Sequence, residues 1–139
     1  MDEAKALREV IKLPIQVRRI FCQVMGITDE IGYDPSLGIN IISHLLVQSL
    51  CPRSSLSRSE KRLKLPSGQI LDCIGVLHSV PVRIDDPTIL LDFHVFDFPV
   101  DSSHPVIIGR PVMKILEIVL GKEVLKLKVG KEYLPMPFS

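Results

Sequence analysis

The sequence lacks the features that mark several large classes of protein. Its formal net charge is only +1, so no overall charge draws it toward nucleic acid or an anionic membrane. No apolar run approaches the roughly 18 residues of a membrane span. The opening residues, Met1-Asp2-Glu3, do not resemble the start of a signal peptide. We therefore expect a domain that binds neither membrane nor nucleic acid, with an intracellular, cytoplasmic location.

Cysteine and metal-binding motifs are also scarce. Cys22, Cys51 and Cys73 are odd in number, widely spaced and without a Cys-x-x-Cys pair. This pattern indicates a reducing compartment and argues against a disulfide framework or a thiolate zinc site. The four histidines are His44, His78, His94 and His104. No two of them have metal-ligand spacing, and there is no P-loop, Gly-x-Gly-x-x-Gly or Gly-x-Ser-x-Gly motif. We expect no metal and no cofactor, and we interpret His94 as a packed or surface histidine in a strand.

What the sequence does contain indicates one folded, mostly β domain. Its 139 residues are 46 % hydrophobic and 24 % charged, which is typical of a globular chain. Its eleven prolines divide the chain into short elements and argue against a helical bundle. Short β-branched and aromatic runs predict strands over residues 39–42, 70–76, 80–84, 89–98, 105–108, 117–120 and 124–129. The pattern favours a closed or barrel-like domain with two or three small helices.

The predicted helices are short and begin at recognisable residues. Apolar spacing predicts a helix over residues 2–12 that Pro14 ends. Ser43 is placed to cap a helix over 44–50, and Pro111 to begin one over 111–116. Residues 15–24 are either a strand, which we favour, or a further helical turn. We treat 1–25 as an N-terminal extension and 26–139 as the main domain.

Residues 51–62 are polar and predict a loop. The basic residues in and just after it are Arg53, Arg58, Lys61, Arg62 and Lys64. They could bind nucleic acid or a phosphate group, but the neighbouring sequence supplies no aromatic residues for stacking. We therefore favour a solvated loop.

Two distant segments carry a family resemblance. Residues 31–43 are IGYDPSLGINIIS and residues 106–111 are VIIGRP. Taken alone, the first contains an ordinary Asp-Pro turn and the second is an ordinary strand end. In this order and at this separation they resemble the retropepsin family of aspartic proteases. More narrowly, they resemble the protease region of Gag–Pol polyproteins from plant-type long-terminal-repeat retrotransposons.

The resemblance extends over residues 30–135. Placing Asp34 on the family aspartate puts Asn40 on the family asparagine without a gap. Residues 63–77 then correspond to the flap hairpin, with Gly68, Gln69 and Gly75 as its flap residues. Gly109 and Arg110 match a structural signature before a short C-terminal helix. The resemblance implies a closed acid-protease barrel with a flap hairpin over residues 26–139.

The resemblance also implies a homodimer that acts on a peptide or polyprotein. Each subunit of a retropepsin contributes one aspartate, here Asp34, to a shared site under two flaps. If two carboxylates lie a few ångströms apart, ionising both is opposed by the repulsion of like charges, so they share a proton. One then acts as a base on a water molecule while the other acts as an acid toward the peptide carbonyl.

The active-site loop, residues Asp34, Pro35, Ser36, Leu37 and Gly38, departs from the family pattern. Pro35 stands where active members have a threonine or serine whose hydroxyl and backbone N–H tie two loops together, and proline has neither group. Ser36 replaces a glycine, and Leu37 is larger than the family alanine. A slipped alignment on Ser36-Leu37-Gly38 restores the glycine but removes the aspartate. We therefore expect weak or absent proteolysis.

Two alternatives to a protease remain open from the sequence. The first is a non-catalytic dimerisation or peptide-binding module that keeps the barrel and the flap. The feature that separates this module from an enzyme is the position of Asp34. An enzyme needs Asp34 to face the Asp34 of the second subunit with N–H donors around it. The second is a small β-rich adaptor unrelated to proteases, in which the Asp34 loops do not pair.

Overall fold

The strands and the helix below are those of a computed structural model that describes residues 10–13, 18–84, 88–98, 105–112 and 114. The strands in these ranges are β1 (Val10–Lys12), β2 (Arg18–Val24), β3 (Ile27–Tyr33), β4 (Asn40–Ser43), β5 (Arg62–Lys64), β6 (Ile70–Asp72), β7 (Gly75–Arg83), β8 (Thr88–Phe96) and β9 (Val106–Ile108). Helix α1 spans His44–Leu50. Pro111 and Val112 are also helical, as expected of a proline in the first turn of a helix.

Within the described part of the chain, six strands form a closed barrel in the order β2-β3-β9-β4-β8-β7. Antiparallel pairing joins β2 to β3 and β7 to β8, and the β2–β7 pair at Gln23 and Val24 closes the ring. Closure removes the exposed sheet edges that would otherwise pair with other chains. The mostly β, closed-barrel fold predicted from the sequence is confirmed.

The barrel interior is filled by the inward-facing side chains of its strands. On β8 the buried residues alternate with outward-facing ones, as the two-residue period of a strand dictates. Ile89, Leu91 and Phe93 are buried there, whereas Leu90 and Asp92 lie on the outer face. Burial of this apolar core, at about 25 cal/mol per Å² of apolar surface, is the main stabilising contribution to the barrel.

A second, smaller sheet contains β1, β5 and β6. It packs on its own buried cluster, whose members are Leu13, Leu37, Ile41, Leu63, Leu65, Phe96, Phe98 and Ile107. This cluster combines residues of the small sheet with residues of three barrel strands or the segments that follow them. The small sheet is therefore held against the barrel beside Leu37.

The predicted elements between residues 39 and 98 are mostly present. The strand at 39–42 and the helix at 44–50 are confirmed as β4 and α1. Ser43 precedes α1 with extended backbone, but its side chain makes no capping hydrogen bond, so that predicted contact is wrong. The break predicted between strands 70–76 and 80–84 is also wrong. β6 ends at Asp72, and β7 runs from Gly75 to Arg83 through a β-bulge between Leu77 and Val80.

The N-terminal predictions are only partly within the described residues. Val10–Lys12, the end of the helix predicted over 2–12, form a strand because they pair in parallel with Arg62–Lys64. Residues 2–9 lie outside the described ranges. The favoured strand over 15–24 is present at Arg18–Val24. It precedes residue 26 but belongs to the barrel, so we place this part of 1–25 with the barrel strands.

Several other predictions fall outside the described residues. They are residues 113, 115 and 116 of the last predicted helix and the strands predicted over 117–120 and 124–129, and His104 lies outside the described residues as well. The strands that flank residues 85–87 are paired from Arg83 to Thr88, so β7 and β8 form a hairpin. In the described ranges, no helix combines the length and the apolar character that crossing a membrane requires.

Candidate active site

The loop that carries Asp34 crosses the end of a strand that arrives from the other end of the chain. β9 lies between β3 and β4 and is parallel to β3 and antiparallel to β4. The chain leaves β3 at Tyr33, passes over the end of β9 and returns as β4 on its other side. Residues 34–39 form that crossing and therefore sit at the edge of the barrel.

Backbone hydrogen bonds attach the loop to β9 at both ends. The Asp34 N–H donates to the Ile108 carbonyl at 3.0 Å, and the Arg110 N–H donates to the Leu37 carbonyl at 2.8 Å. Within the loop, the Leu37 N–H donates to the Asp34 carbonyl at 3.1 Å, which closes a turn. The two sequence segments that carry the family resemblance are thus in direct contact.

Asn40 and Gly109 make a second, buried connection. The Gly109 N–H donates to Oδ1 of Asn40 at 2.8 Å. The Asn40 side-chain amide donates to the carbonyl of Asp92, fifty-two positions away, at 3.0 Å. Asn40 is only 3 % exposed, so water does not reach this position. The Asn40 side-chain amide therefore supplies the hydrogen-bond partners that the Gly109 N–H and the Asp92 carbonyl need.

Gly109 is required by space rather than by backbone conformation. A Cβ at this position would collide with the carbonyl oxygen of Ile39 and lie 2.7 Å from that of Leu37. These are backbone atoms and cannot rotate away. Gly109 and Arg110 therefore hold the loop in place, and both make backbone contacts to residues 37–40, consistent with the structural role that the resemblance implies.

The carboxylate of Asp34 has two hydrogen-bond donors from within its own loop. Its Oδ1 accepts from the Ser36 N–H at 2.9 Å and from the Ser36 hydroxyl at 2.7 Å. The Asp34 side chain is half-buried, whereas Pro35 and Ser36 are exposed. Hydrogen bonds of this charge-assisted kind fix the orientation of a carboxylate.

The departures from the family loop have unequal structural consequences. Ser36 is not among the described residues with positive φ, so its Cβ imposes no backbone strain, and its N–H still reaches the carboxylate. Leu37 is 5 % exposed and fills the cluster beneath the small sheet. Pro35 is the departure with the largest consequence. It removes the backbone N–H and the hydroxyl of the family threonine or serine at this position, and no other residue of the loop supplies them there.

The predicted flap corresponds in part to a real hairpin. β5 and β6 are antiparallel and are joined by the exposed turn at residues 66–69. The Leu65 N–H donates to the Gln69 carbonyl at 2.8 Å, and Gly68 has a φ of +97°, which glycine adopts without strain. Leu63 and Leu65 pack in the same buried cluster as Leu37. Hairpin and loop are therefore neighbours.

Gly75 lies outside this hairpin. It is buried at the start of β7, where a Cβ would lie 2.5 Å from Cβ of Leu56 and 3.0 Å from the Ser57 carbonyl oxygen. Its position allows residues 56 and 57 to pass close over the barrel. Gly68 and Gln69 are at the tip, and Gly75 instead supports a surface segment.

The site's chemistry in this chain is that of one oriented carboxylate. Among the described residues, no group of three or more His, Cys, Asp or Glu side chains could hold a metal ion. The sequence does not predict the partners of Asn40 and Asp34, because those partners are the backbone carbonyls of Asp92 and Ile108. Every residue type has a backbone carbonyl, so no motif marks these positions. The sequence predicts only that a buried amide such as that of Asn40 will have hydrogen-bond partners.

Comparisons with known proteins agree with this geometry at the level of the fold. No protein-family model and no curated protein sequence matches the chain. The retroviral protease-like domain of Ddi1 from Leishmania major is similar in structure, with a TM-score of 0.54 and 15 % identity over 73 % of this chain and 78 % of that one. EIAV protease in complex with the inhibitor HBY-793 has a TM-score of 0.54 and 14 % identity over 76 % of this chain and 90 % of that one. The chain therefore has a retropepsin-like fold.

Proposed function

We propose that this chain is a retropepsin-like aspartic endopeptidase domain, derived from the Gag–Pol polyprotein of a plant-type retrotransposon, whose proteolysis is weak or lost. The observation that carries the proposal is the position of Asp34. It follows β3 where β9 ends, in a loop bonded to Ile108 and Arg110, and its carboxylate accepts two hydrogen bonds from Ser36. The fold that surrounds it is shared with a viral protease.

The mechanism requires a homodimer, because each chain supplies one such carboxylate. In the proposed dimer the two Asp34 side chains share a proton, and their titration belongs to the pair. The ionised carboxylate takes a proton from a water molecule, whose oxygen attacks the peptide carbonyl carbon. The protonated carboxylate donates to the carbonyl oxygen, and collapse of the intermediate breaks the C–N bond. The hairpin with Gly68 and Gln69 at its tip is the proposed flap over the peptide.

The loss of the family threonine at Pro35 favours a second function on the same fold. A dimer that binds a peptide or polyprotein without cleaving it needs the barrel and the flap but not a locked pair of active-site loops. Cys22, Cys51 and Cys73 form no disulfide, and we propose a reducing, intracellular compartment for either function.

A single experiment separates the two functions. We would incubate a mixed peptide library with the wild-type chain and with Asp34→Asn at acidic and neutral pH, after measuring the oligomeric state of both. Three results together support the enzyme. The wild type cleaves peptides most strongly at acidic pH, a pepstatin-type inhibitor stops the cleavage, and Asp34→Asn abolishes it. No cleavage by protein that is dimeric supports the binding module.

Two outcomes contradict the proposal. Cleavage that is unchanged in Asp34→Asn would refute the Asp34 dyad. A monomer at high micromolar concentration by light scattering would argue against both functions, because half of a shared cleft has no use alone.

A further inference from the structure

A second set of polar side chains includes His78 and Asp92, which are exposed on the neighbouring barrel strands β7 and β8. The Ser57 hydroxyl oxygen is 2.6 Å from Nε2 of His78, and Nδ1 of His78 is 3.2 Å from Oδ2 of Asp92. Because an ionised carboxylate only accepts hydrogen bonds, the single ring proton of the neutral imidazole lies on Nδ1, and in that form Nε2 accepts from the serine hydroxyl. A serine bonded to a histidine that is oriented by a carboxylate is the arrangement that activates a serine as a nucleophile.

The β-bulge in β7 creates this arrangement. His78 and Ser79 together lie opposite Asp92, because Leu77 pairs with Phe93 and Val80 pairs with Leu91. Ser79 has a φ of +56°, an uncommon backbone conformation for a residue with a side chain. Its N–H donates to Oδ1 of Asp92 at 2.9 Å. Bulges of this kind re-aim side chains and are enriched beside functional sites.

The bulge also fixes the charge state of Asp92. The hydrogen bond from the Ser79 N–H is the largest effect and lowers the pKa of Asp92 below its ordinary value. Burial opposes it and is the next largest effect, and the hydrogen bond and charge of His78 add to the lowering. Asp92 therefore remains ionised at neutral pH. Its two oxygens hold separate partners, one from the backbone and one from the imidazole ring, so the carboxylate cannot rotate without losing both.

Ser57 reaches the histidine because the backbone around it is fixed. The Ser57 N–H donates to the Val76 carbonyl at 3.0 Å, and the Val76 N–H donates to the Ser57 carbonyl at 2.8 Å. Gly75 leaves room for this close approach. The side chains of His78 and Asp92 are 53 % and 57 % exposed, so a substrate can reach them from solvent.

A mainly apolar cleft of about 310 Å³ adjoins Asp92. Its lining includes Leu90 and His94 from β8, and Gly38, Ile39 and Asn40 from the end of the Asp34 loop and the start of β4. Leu90 is 60 % exposed, which is unusual for a large apolar side chain at the edge of a cavity. Nδ1 of His94 is buried without a hydrogen-bond partner. The volume is at the lower end of the range for small-molecule sites, which begins at roughly 300 Å³.

We propose that Ser57, His78 and Asp92 form an esterase-like site for small esters with a short apolar acyl group, in which Asp34 takes no part in the chemistry. His78 Nε2 takes the proton of the Ser57 hydroxyl as the oxygen attacks the ester carbonyl carbon. The bond to the alcohol oxygen breaks, His78 returns the proton to the leaving alcohol, and the acyl group stays on Ser57. Water, deprotonated by His78, then releases the acid. Asp92 is a positioning residue, and the cleft beside it takes the acyl group.

The test uses 4-nitrophenyl acetate with the full chain. We expect nitrophenolate release and acetylation of Ser57, mapped by mass spectrometry of a rapidly quenched sample. Ser57→Ala abolishes the acetylation at this position, and His78→Gln slows it by about a hundredfold or more, the scale of general-base catalysis. Ser55→Ala is the matched control, because Ser55 is an exposed serine of the same segment and its removal leaves the rate unchanged.

Asp92 needs a readout that loss of stability does not produce. In Asp92→Asn we expect slower acetylation of Ser57 together with loss of the downfield proton signal of His78 Nδ1–H in NMR spectra that otherwise keep their dispersion. Acetylation of Ser57 no faster than that of Ser55, or an equal rate in His78→Gln, would overturn the proposal. A folded Asp92→Asn variant with an unchanged rate would refute the role of Asp92.

Discussion

The N–H of Gly109 donates to the side-chain oxygen of Asn40 at 2.8 Å in the buried interior of the protein. The two residues are sixty-nine positions apart, one after β9 and the other at the start of β4. This bond joins the two segments that the sequence identifies as family signatures. It also fixes the far end of the loop that begins at Asp34, so the orientation of the candidate catalytic carboxylate depends on it.

Replacing Gly109 with alanine should destabilise the protein by about 2–3 kcal/mol, the usual cost of overpacking. The added Cβ would collide with the carbonyl of Ile39 and approach that of Leu37 to 2.7 Å. Gly38→Ala is the matched control, because a Cβ there meets only Arg110 at 3.5 Å and should change stability by less than about 1 kcal/mol. Urea unfolding of both variants at one protein concentration measures the difference, and equal midpoints would contradict this account.

Replacing Asn40 with alanine should lower the free energy of unfolding by about 1–3 kcal/mol, because it leaves the Gly109 N–H buried without a partner. The Asp92 carbonyl loses its donor in the same variant. Gln23→Ala is the control, since Gln23 makes a 3.4 Å side-chain bond at the surface and should cost less than about 0.5 kcal/mol. Equal losses in the two variants would show that the buried amide has no special role.

The sequence predicts the strands better than their boundaries. The alternating pattern of residues 89–98 identifies β8, because one face of that strand fills the barrel. The break in residues 70–84 was misplaced because the His78-Ser79 bulge lies within a continuous strand and its cause is cross-strand pairing with Asp92. Ser43 looks like a helix cap, but it is fully buried and its hydroxyl has no hydrogen-bond partner. Tertiary context overrides local preference at both positions.

The candidate site divides in the same way. Asp34 and Gly109 are identified by the family resemblance. The structure shows a close backbone approach at Gly109, and the catalytic role of Asp34 stays a prediction. The two donors from Ser36 have no counterpart in the sequence prediction, in which Ser36 is only a replacement for the family glycine. Its φ shows that the turn does not need glycine. The Ser57, His78 and Asp92 set has no sequence signature, because a bulge and a surface segment bring three separate elements together.

Stability should fall with pH below the ordinary histidine pKa of about 6.5 because of His94. Burial, followed by the charge of Lys61, lowers the pKa of His94 in the folded state. As the pH falls, the His94 side chain takes up a proton in the unfolded chain before it does so in the folded chain. The contribution of His94 to the free energy of unfolding is therefore complete above about pH 6.5 and is lost as the pH falls toward the folded-state pKa. His94→Gln should flatten the profile of unfolding free energy below about pH 6.5.

A second variant checks the cause of that shift. Lys61→Met removes a neighbouring positive charge and should raise the pKa of His94, measured by NMR titration of its ring protons. Asp92 acts in a different window, because its lowered pKa adds stability that is lost only below about pH 4. Parallel pH profiles for the wild type and His94→Gln would contradict the assignment to His94.

Restoring a threonine after the aspartate should strengthen the proposed dimer and its proteolysis. Pro35→Thr returns the backbone N–H and the hydroxyl that the family resemblance assigns to the lock between active-site loops. Two such locks, at about 1 kcal/mol each, would tighten dimerisation about thirtyfold. Pro35→Val is the control, because it returns the N–H in a side chain of the same shape without the hydroxyl. Analytical ultracentrifugation measures dimerisation, and a peptide assay measures cleavage. If both decrease from Pro35→Thr to Pro35→Val to the wild type, the result supports the dyad. Equal dimerisation of all three chains would show that residue 35 does not contact a second subunit.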